Sequence, residues 1–408
     1  MLRRTISIMV ILIMVCCVLN WNSGFDVRGE EYDEAIIKAL EEERYYNENF
    51  YDEEPEDYEE YDYNSCDAET SINELGEANL RYTTTNINGD NLSYDYKITN
   101  IPSINSSNPA IQKTYIGDNY LFYIQRQGTT LYLSRVSLPT SGNVINASGA
   151  SRMTLTNFGH SQVLEYFSYN GESYFWIGCK ASSESYNWST QLARVKFVAG
   201  GTTDYTACKR LSSMNCANQT GTSLGTVRRV EAALSTNKSY LLVWVRTYQI
   251  DENGNKSYYK TRFSIYNATS VNNALTAYTA SNHVPCTDSS IKAACISSFE
   301  YVPGDSSEGV LRYGSNQGLE INNSKQIYVA SEARSNGQSQ GKYIYKLSSS
   351  GTILKRVFFT GNTMGVGSTT EMEGLQIKDS KLYFALKDHS SGINNIHYIY
   401  KIDPSYFD

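Results

Sequence analysis

Seven ionisable side chains stand directly behind apolar, strand-like runs, where loops would present them. Lys387-Asp388-His389 follows the run ending at Leu386, and Glu332 and Arg334 follow the run ending at Ala330. Lys180 follows Cys179, and Arg246 follows Val245. If the runs superpose, these residues ring one end of a common axis. Ammonium, guanidinium and carboxylate groups gathered there suit an oligosaccharide or a phosphate-bearing polymer, bound through charge-assisted hydrogen bonds. Loop ends are also polar simply because loops are wet. A second set, Gln317, Glu320, Glu373 and Gln376, precedes two of the runs. Such oxygens could hold Ca²⁺, contact a ligand or tie neighbouring sheets through backbone bonds; repetition with Glu and Gln exchanged favours the tie. Tyr186 and Trp188, near Tyr166 and Tyr169, offer rings for stacking on sugars or for packing.

Other chemistries lack their residues. The chain has no Gly-x-Ser-x-Gly, no His-Glu-x-x-His and no phosphate-binding glycine loop. Its four histidines, His160, His283, His389 and His397, argue against a three-histidine metal centre, and neither metal nor cofactor is expected. A catalytic pair of carboxylates stays open, since a β protein of this size has acids to spare. No dense Lys/Arg stripe points to nucleic acid.

The runs themselves recur. Tyr120-Leu121-Phe122, Tyr174-Phe175-Trp176, Tyr240-Leu241-Leu242, Ile327-Tyr328-Val329 and Leu382-Tyr383-Phe384 each open an apolar strand. Each is followed by another, such as Leu131-Tyr132-Leu133, Gln191-Leu192-Ala193 or Tyr398-Ile399-Tyr400. Asn170-Gly171, Asn253-Gly254 and Asp379-Ser380 supply turn signals between strands. Five units of four strands predict an all-β fold, a five-bladed β-propeller, in which stacking around an axis buries both faces of each sheet. A pair of β-sandwiches is the alternative. The two longest repeats contain Cys208 and Cys216, and Cys286 and Cys295, and read as insertions; no amphipathic helix of three clear turns is apparent.

Glu373-Gly374-Leu375-Gln376-Ile377, Leu382-Tyr383-Phe384-Ala385-Leu386-Lys387 and Ile399-Tyr400-Lys401-Ile402 resemble the helveticin J family of secreted, bacteriocin-like proteins. Gln317-Gly318-Leu319-Glu320 through Tyr345-Lys346-Leu347, and Gln112-Lys113 through Arg135-Val136, fit the same pattern over roughly residues 110–404. The resemblance implies a propeller and an antibacterial protein that engages the surface of related Gram-positive bacteria. It supplies no catalytic set. The alternatives are a noncatalytic cell-surface or carbohydrate-binding propeller and a secreted glycan hydrolase or lyase. The expected partner is a bacterial cell-surface glycan or an anionic wall polymer.

Ahead of the propeller, assigned to residues 111–408, lie three segments. Residues 1–24 read as a signal peptide: Arg3 and Arg4 precede an apolar stretch over 6–19, short for a membrane span. Secretion, with or without retention at the cell surface, follows. Residues 25–66 read as an acidic, disordered segment; sixteen acids and only two bases fall between Glu30 and Tyr63. Residues 67–110 are a polar lead-in that could donate a closing strand. Export would favour disulfides, with Cys208–Cys216 and Cys286–Cys295 as local pairs and Cys66–Cys179 as the remainder.

Overall fold

The computed structural model describes residues 82–408 except 185, 251–255, 302–315, 336 and 391–395. The signal peptide, the acidic segment and Cys66 lie outside the described residues. The rest is a five-bladed propeller, and the two-sandwich alternative is excluded.

Blade 1 runs Ile111–Ile116, Tyr120–Gln127, Thr130–Ser137 and Ser151–Thr156 from the axis outward. Blade 2 is Glu165–Tyr169, Glu172–Ala181, Ser189–Val195 and Lys209–Ser212. Blade 3 is Thr226–Leu234, Tyr240–Ile250, Lys256–Asn267 and Cys295–Tyr301. Blade 4 is Asn316–Ile321, Ile327–Ser335, Gln338–Leu347 and Ile353–Thr360. Blade 5 takes Thr370–Lys378, Lys381–Asp388 and His397–Ile402 from the chain's end and its fourth strand, Tyr96–Thr99, from the lead-in. The lead-in therefore closes the ring. All five second strands and all five third strands fall where the repeat places them.

The strands are apolar on alternate and consecutive positions for one reason: both faces of a blade are buried. In the second strand of blade 3, Leu241, Val243 and Val245 pack toward blade 2, while Leu242 and Trp244 pack toward blade 4. In blade 5, Leu382, Phe384 and Leu386 face blade 4, and Tyr383 and Ala385 face blade 1. Five apolar clusters result, each filling the space between successive blades, with the fifth joining blade 5 to blade 1.

The long repeats hold more than insertions. Between its third and fourth strands, blade 2 sends out Thr202–Asp204, which pairs in parallel with the outer edge of blade 1. Blade 3 likewise sends His283–Pro285 to blade 2, blade 1 sends Val144–Asn146 to blade 5, and Thr83–Asn88 pairs with blade 4. Blade 4 turns directly from Leu347 to Ile353 and sends nothing back, so blade 3 keeps four strands. A capping side chain closes three outriggers and follows the fourth: Asn88, Asn146 and Asp204 end theirs, Asp288 lies just beyond His283–Pro285, and all accept from the backbone N–H two residues on at 2.9–3.1 Å. The blade 3 excursion also forms the helix Ala268–Ala277, capped by Asn267, which was not apparent as a three-turn amphipathic pattern.

The disulfide expectation is corrected. Cys179, Cys208, Cys216, Cys286 and Cys295 are free and buried. Cys208 and Cys216 flank the strand Lys209–Ser212 and enter different cores: Cys208 joins Cys179 between blades 1 and 2, whereas Cys216, Cys286 and Cys295 lie between blades 2 and 3. Closeness in sequence across a strand is distance in space. Burial pushes the Cys179 and Cys286 thiols well up and Cys295 to about 11, so they pack as apolar groups rather than reactive thiolates.

Candidate functional site

The innermost strands run the same way around the axis. Their beginnings define an upper end and their finishes a lower end. In blades 1, 3, 4 and 5 the innermost strand carries a bulge near its start, at Ile111/Lys113, Val227/Arg229, Asn316/Gly318 and Met372/Leu375. A bulge re-aims side chains that simple alternation would send into the blade faces. The residues within these bulges are Gln112, Arg228, Gln317, and Glu373 with Gly374.

Gly374 and Gly318 explain the repeated Gly of the sequence pattern. Gly374 has φ +84°, and a Cβ there would sit 2.5 Å from Lys113 Cδ. A Cβ at Gly318 would sit 2.8 Å from Leu375 N, so blades 4 and 5 approach too closely for any other residue. The same four-residue spacing occurs in blade 2 as Gln162-Val163-Leu164-Glu165 and in blade 3 as Arg228-Arg229-Val230-Glu231. Those two copies lack the glycine and escaped the sequence reading; the spacing of polar ends was the signal.

The first members of the pattern meet across the axis. Gln162 donates to Gln317 Oε1 at 3.1 Å and to Glu373 Oε2 at 2.9 Å. Arg229 donates to Gln162 Oε1 at 2.6 Å and pairs with Glu231 at 2.9 Å. The last members lie deeper along the axis than the first, where Lys113 reaches two of them. Lys113 lies 3.1 Å from Glu165 and 3.6 Å from Glu320, and all three are sealed from solvent. Burial alone would discharge Lys113, but the two carboxylates outweigh it and hold the ammonium charged. Burial, with the neighbouring charge of Glu165, drives Glu320 well up, so one ammonium balances one carboxylate. Gln376 accepts from Ile116 N at 2.7 Å and donates to Ile116 O at 3.0 Å, tying blade 5 to blade 1. The tie favoured for this set is present, through backbone for Gln376 and through side chains for Gln317 and Glu373.

At the upper end, the strand-exit residues separate into three groups. Around blades 4 and 5, Glu371 pairs with His389 Nε2 at 2.7 Å, both partly reached by solvent. Burial works to raise the Glu371 carboxyl, but the His389 bond and the charges of Arg334 and Lys387 hold it at about 2. Arg334 is fixed by donation to Thr370 O at 2.7 Å and Gly337 O at 2.6 Å. Lys387 is buried beside this pair, and Asp388 accepts from Ser390 N at 2.9 Å and Thr369 Oγ1 at 3.0 Å, holding the loop that carries His389.

Glu332 lies behind the mouth rather than in it. It is fully buried, 3.1 Å from Lys342, and accepts from Met372 N at 2.9 Å. Burial raises its carboxyl and lowers the Lys342 ammonium.

In blades 2 and 3 the expected ring is not completed. Arg246 is buried opposite Arg229 in the sheet, and Lys180 is exposed beside a separate cavity. Trp188 is not a surface platform: it is 4 % exposed, with His160 stacked on it at 3.7 Å and the Arg229 guanidinium 3.5 Å from its ring centre. Tyr186 is half-buried beside it in sequence. The sugar-stacking expectation for Trp188 is corrected, because its faces are already taken by cationic and imidazole partners from the axis.

Solved structures to which the chain is similar include a GH43_1 enzyme from Xanthomonas citri complexed with xylose, at 10% identity and TM-score 0.36, covering 73% of this chain and 88% of that one. Another is the β-xylosidase RS223, at 8% identity and TM-score 0.35, covering 77% and 94%. A third is the GH93 α-L-arabinofuranosidase of Fusarium graminearum with arabinobiose, at 8% identity and TM-score 0.34, covering 71% and 73%. The propeller itself rests on the sheet topology of this chain. No curated protein matches the sequence. The antibacterial expectation is withdrawn as a statement about this chain, and the function is taken up below from the site's own geometry, among the glycan-directed alternatives. The family model for the bacteriocin helveticin-J matches residues 88–405, and the chain belongs to that family.

Proposed function

We propose that the protein is a noncatalytic glycan-binding propeller whose contact site is the upper mouth of the axis. The observation that carries this reading is the Glu371–His389 pair, in which a half-buried imidazole covers a buried carboxylate, backed by the immobilised Arg334. A carboxylate accepts from sugar hydroxyls, while imidazole and guanidinium groups donate to them; fixed groups of both kinds give orientation without chemistry.

Two-carboxylate hydrolysis needs one acid kept protonated within reach of the glycosidic oxygen. Glu371 is held at about 2 and stays ionised at neutral pH. Glu332, whose carboxyl is raised, is sealed behind its bond to Lys342 and cannot reach a ligand. These facts favour binding over cleavage.

The test is an array of neutral and acidic oligosaccharides probed with the full chain, followed by titration of the best neutral ligand. Glu371→Gln and His389→Ala are expected to weaken binding about tenfold, the loss of a charge-assisted bond. Equal binding by both variants would sink the proposal, and release of new reducing ends would replace it with hydrolysis.

A further inference from the structure

A cavity of about 480 Å³ lies at the same end of the strands as the mouth, in the crevice between blades 2 and 3. It is walled by three blade 2 strands, by His283 on the outrigger that pairs with them, and by Thr226 and Val227 at the start of blade 3. Its ionisable lining is Lys180, Arg210, His283 and the phenol of Tyr205; no Asp or Glu lines it.

The basic groups are organised. Arg210, 7 % exposed, donates through Nε to Gln191 Oε1 at 2.8 Å and through Nη1 to the carbonyls of Tyr205, Thr206 and Cys208 at 3.3 Å. Its guanidinium carbon lies 5.0 Å from the Tyr205 ring centre. Among the described residues, no hydrogen-bond partner occupies Nη2. His283 Nδ1 lies 3.1 Å from Ser212 Oγ, which orients the ring on the cavity wall. Lys180 stands exposed with φ +61° at the end of its strand, where its carbonyl accepts from Thr190 Oγ1 at 2.8 Å. A buried guanidinium with no carboxylate partner, an ammonium and an imidazole around one void leave positive potential uncompensated.

We propose that this cavity is a subsite for the anionic group of an acidic sugar, a carboxylate or a phosphate ester. The volume fits a sugar unit, and Gln191, Ser212 and Tyr205 supply hydroxyl and amide partners around it. Arg210 Nη2 and Lys180 meet the anion, with His283 beside them. The inference deepens the glycan reading, since cavity and mouth lie on one face of the propeller, but it stands on different residues.

The experiment is calorimetric titration of the full chain with glucose, glucuronate and glucose 6-phosphate, with inorganic phosphate as competitor. One or both anionic sugars are expected to bind at least tenfold more tightly than glucose, and more weakly as salt rises. Which of the two wins separates carboxylate from phosphate recognition. Lys180→Gln and His283→Gln, both at exposed positions, should each lower that affinity several-fold with unchanged melting temperature. Arg210→Lys tests the buried donor, and its folding is checked by the same melting curve. Equal affinity for glucose and the anions, or unaltered binding in both Lys180→Gln and His283→Gln, overturns the proposal. Glu371→Gln separates the two readings: it should weaken the neutral oligosaccharide and spare the anionic sugar. If only the anionic sugar binds, the mouth reading fails and the cavity stands; if only the neutral ligand binds, the reverse holds.

Discussion

Two levels of the propeller axis carry charged side chains to opposite results. Deeper in the axis Lys113, Glu165 and Glu320 are sealed, and their charges are spent on one another. At the upper end His389 and Arg334 are half-buried beside the buried Glu371, anchored by backbone carbonyls and by the loop that Asp388 holds. The deeper cluster fastens blades 1, 2 and 4; the upper one retains hydrogen-bonding capacity toward solvent. Burial, not residue type, separates a rivet from a site.

The largest test of that contrast is Lys113→Ala, which leaves Glu165 and Glu320 buried without their cation. We expect a loss of about 3–5 kcal/mol, read by urea denaturation, because an unpaired buried charge is costly. Lys113→Met, which refills the volume, is expected to fold but to shift the denaturation midpoint down. A loss under about 1 kcal/mol for Lys113→Ala would show that the deeper cluster is not a fastening.

Acid should reach the upper end first. His160 and His397 are buried, and burial holds both imidazoles well below their ordinary 6.5, so the fold keeps them neutral. A group whose folded value is depressed contributes stability that is complete above its unfolded value and is lost as pH falls. Stability should therefore begin to decline below about pH 6.5, by up to about 1.4 kcal/mol per pH unit for each histidine. Melting curves from pH 7.5 to 4.5 read this. His160 also meets Gln112, Trp188, Arg126 and Arg229, so His160→Gln should flatten the slope while keeping a polar partner for Gln112.

The Glu371–His389 pair occupies a lower window. Its carboxyl sits at about 2 against an ordinary 4.5, so its contribution is whole above pH 4.5 and drains away toward pH 2. Glu371→Gln should cost about 1–2 kcal/mol, less than Lys113→Ala, while neutral-glycan binding drops about tenfold. A stability loss equal to that of Lys113→Ala would make the mouth another rivet.

The smallest effect marks the scale's end. Lys378 reaches Asp118 at 3.3 Å, but Asp118 is 93 % exposed. Lys378→Ala should change stability by no more than about 1 kcal/mol, and less in high salt. A larger change on the same urea curves would mean that burial does not rank these pairs.

Much of the frame was legible in the chain because it is local. Alternation in Tyr240–Ile250 and Lys381–Asp388, with turn residues between runs, carries strand, face and repeat count in a window of a few residues. The axial position of Gln317, Glu320, Glu373 and Gln376 is legible from the same patterning; for the lead-in the sequence offers only that residues 67–110 could donate a closing strand, and Tyr96–Thr99 is set by its pairing with His397–Ile402. The outrigger strands were missed, because three-residue segments such as Thr202–Asp204 have no period to detect and are strands only by virtue of the blade they join.

The site was a different matter. Glu332 and His389 both follow apolar runs, yet Glu332 lies within its strand and is sealed, while His389 stands just past its strand and is half-buried. Trp188 lies in a polar turn yet is stacked between axial residues, and Cys208 and Cys216 stand eight positions apart yet enter separate cores. Backbone geometry and burial pattern follow from neighbours along the chain, so composition and spacing determine them. Which polar groups share a dry space depends on bulges, inter-blade packing and ring closure, which sum contacts hundreds of residues apart; only the assembled propeller decides them.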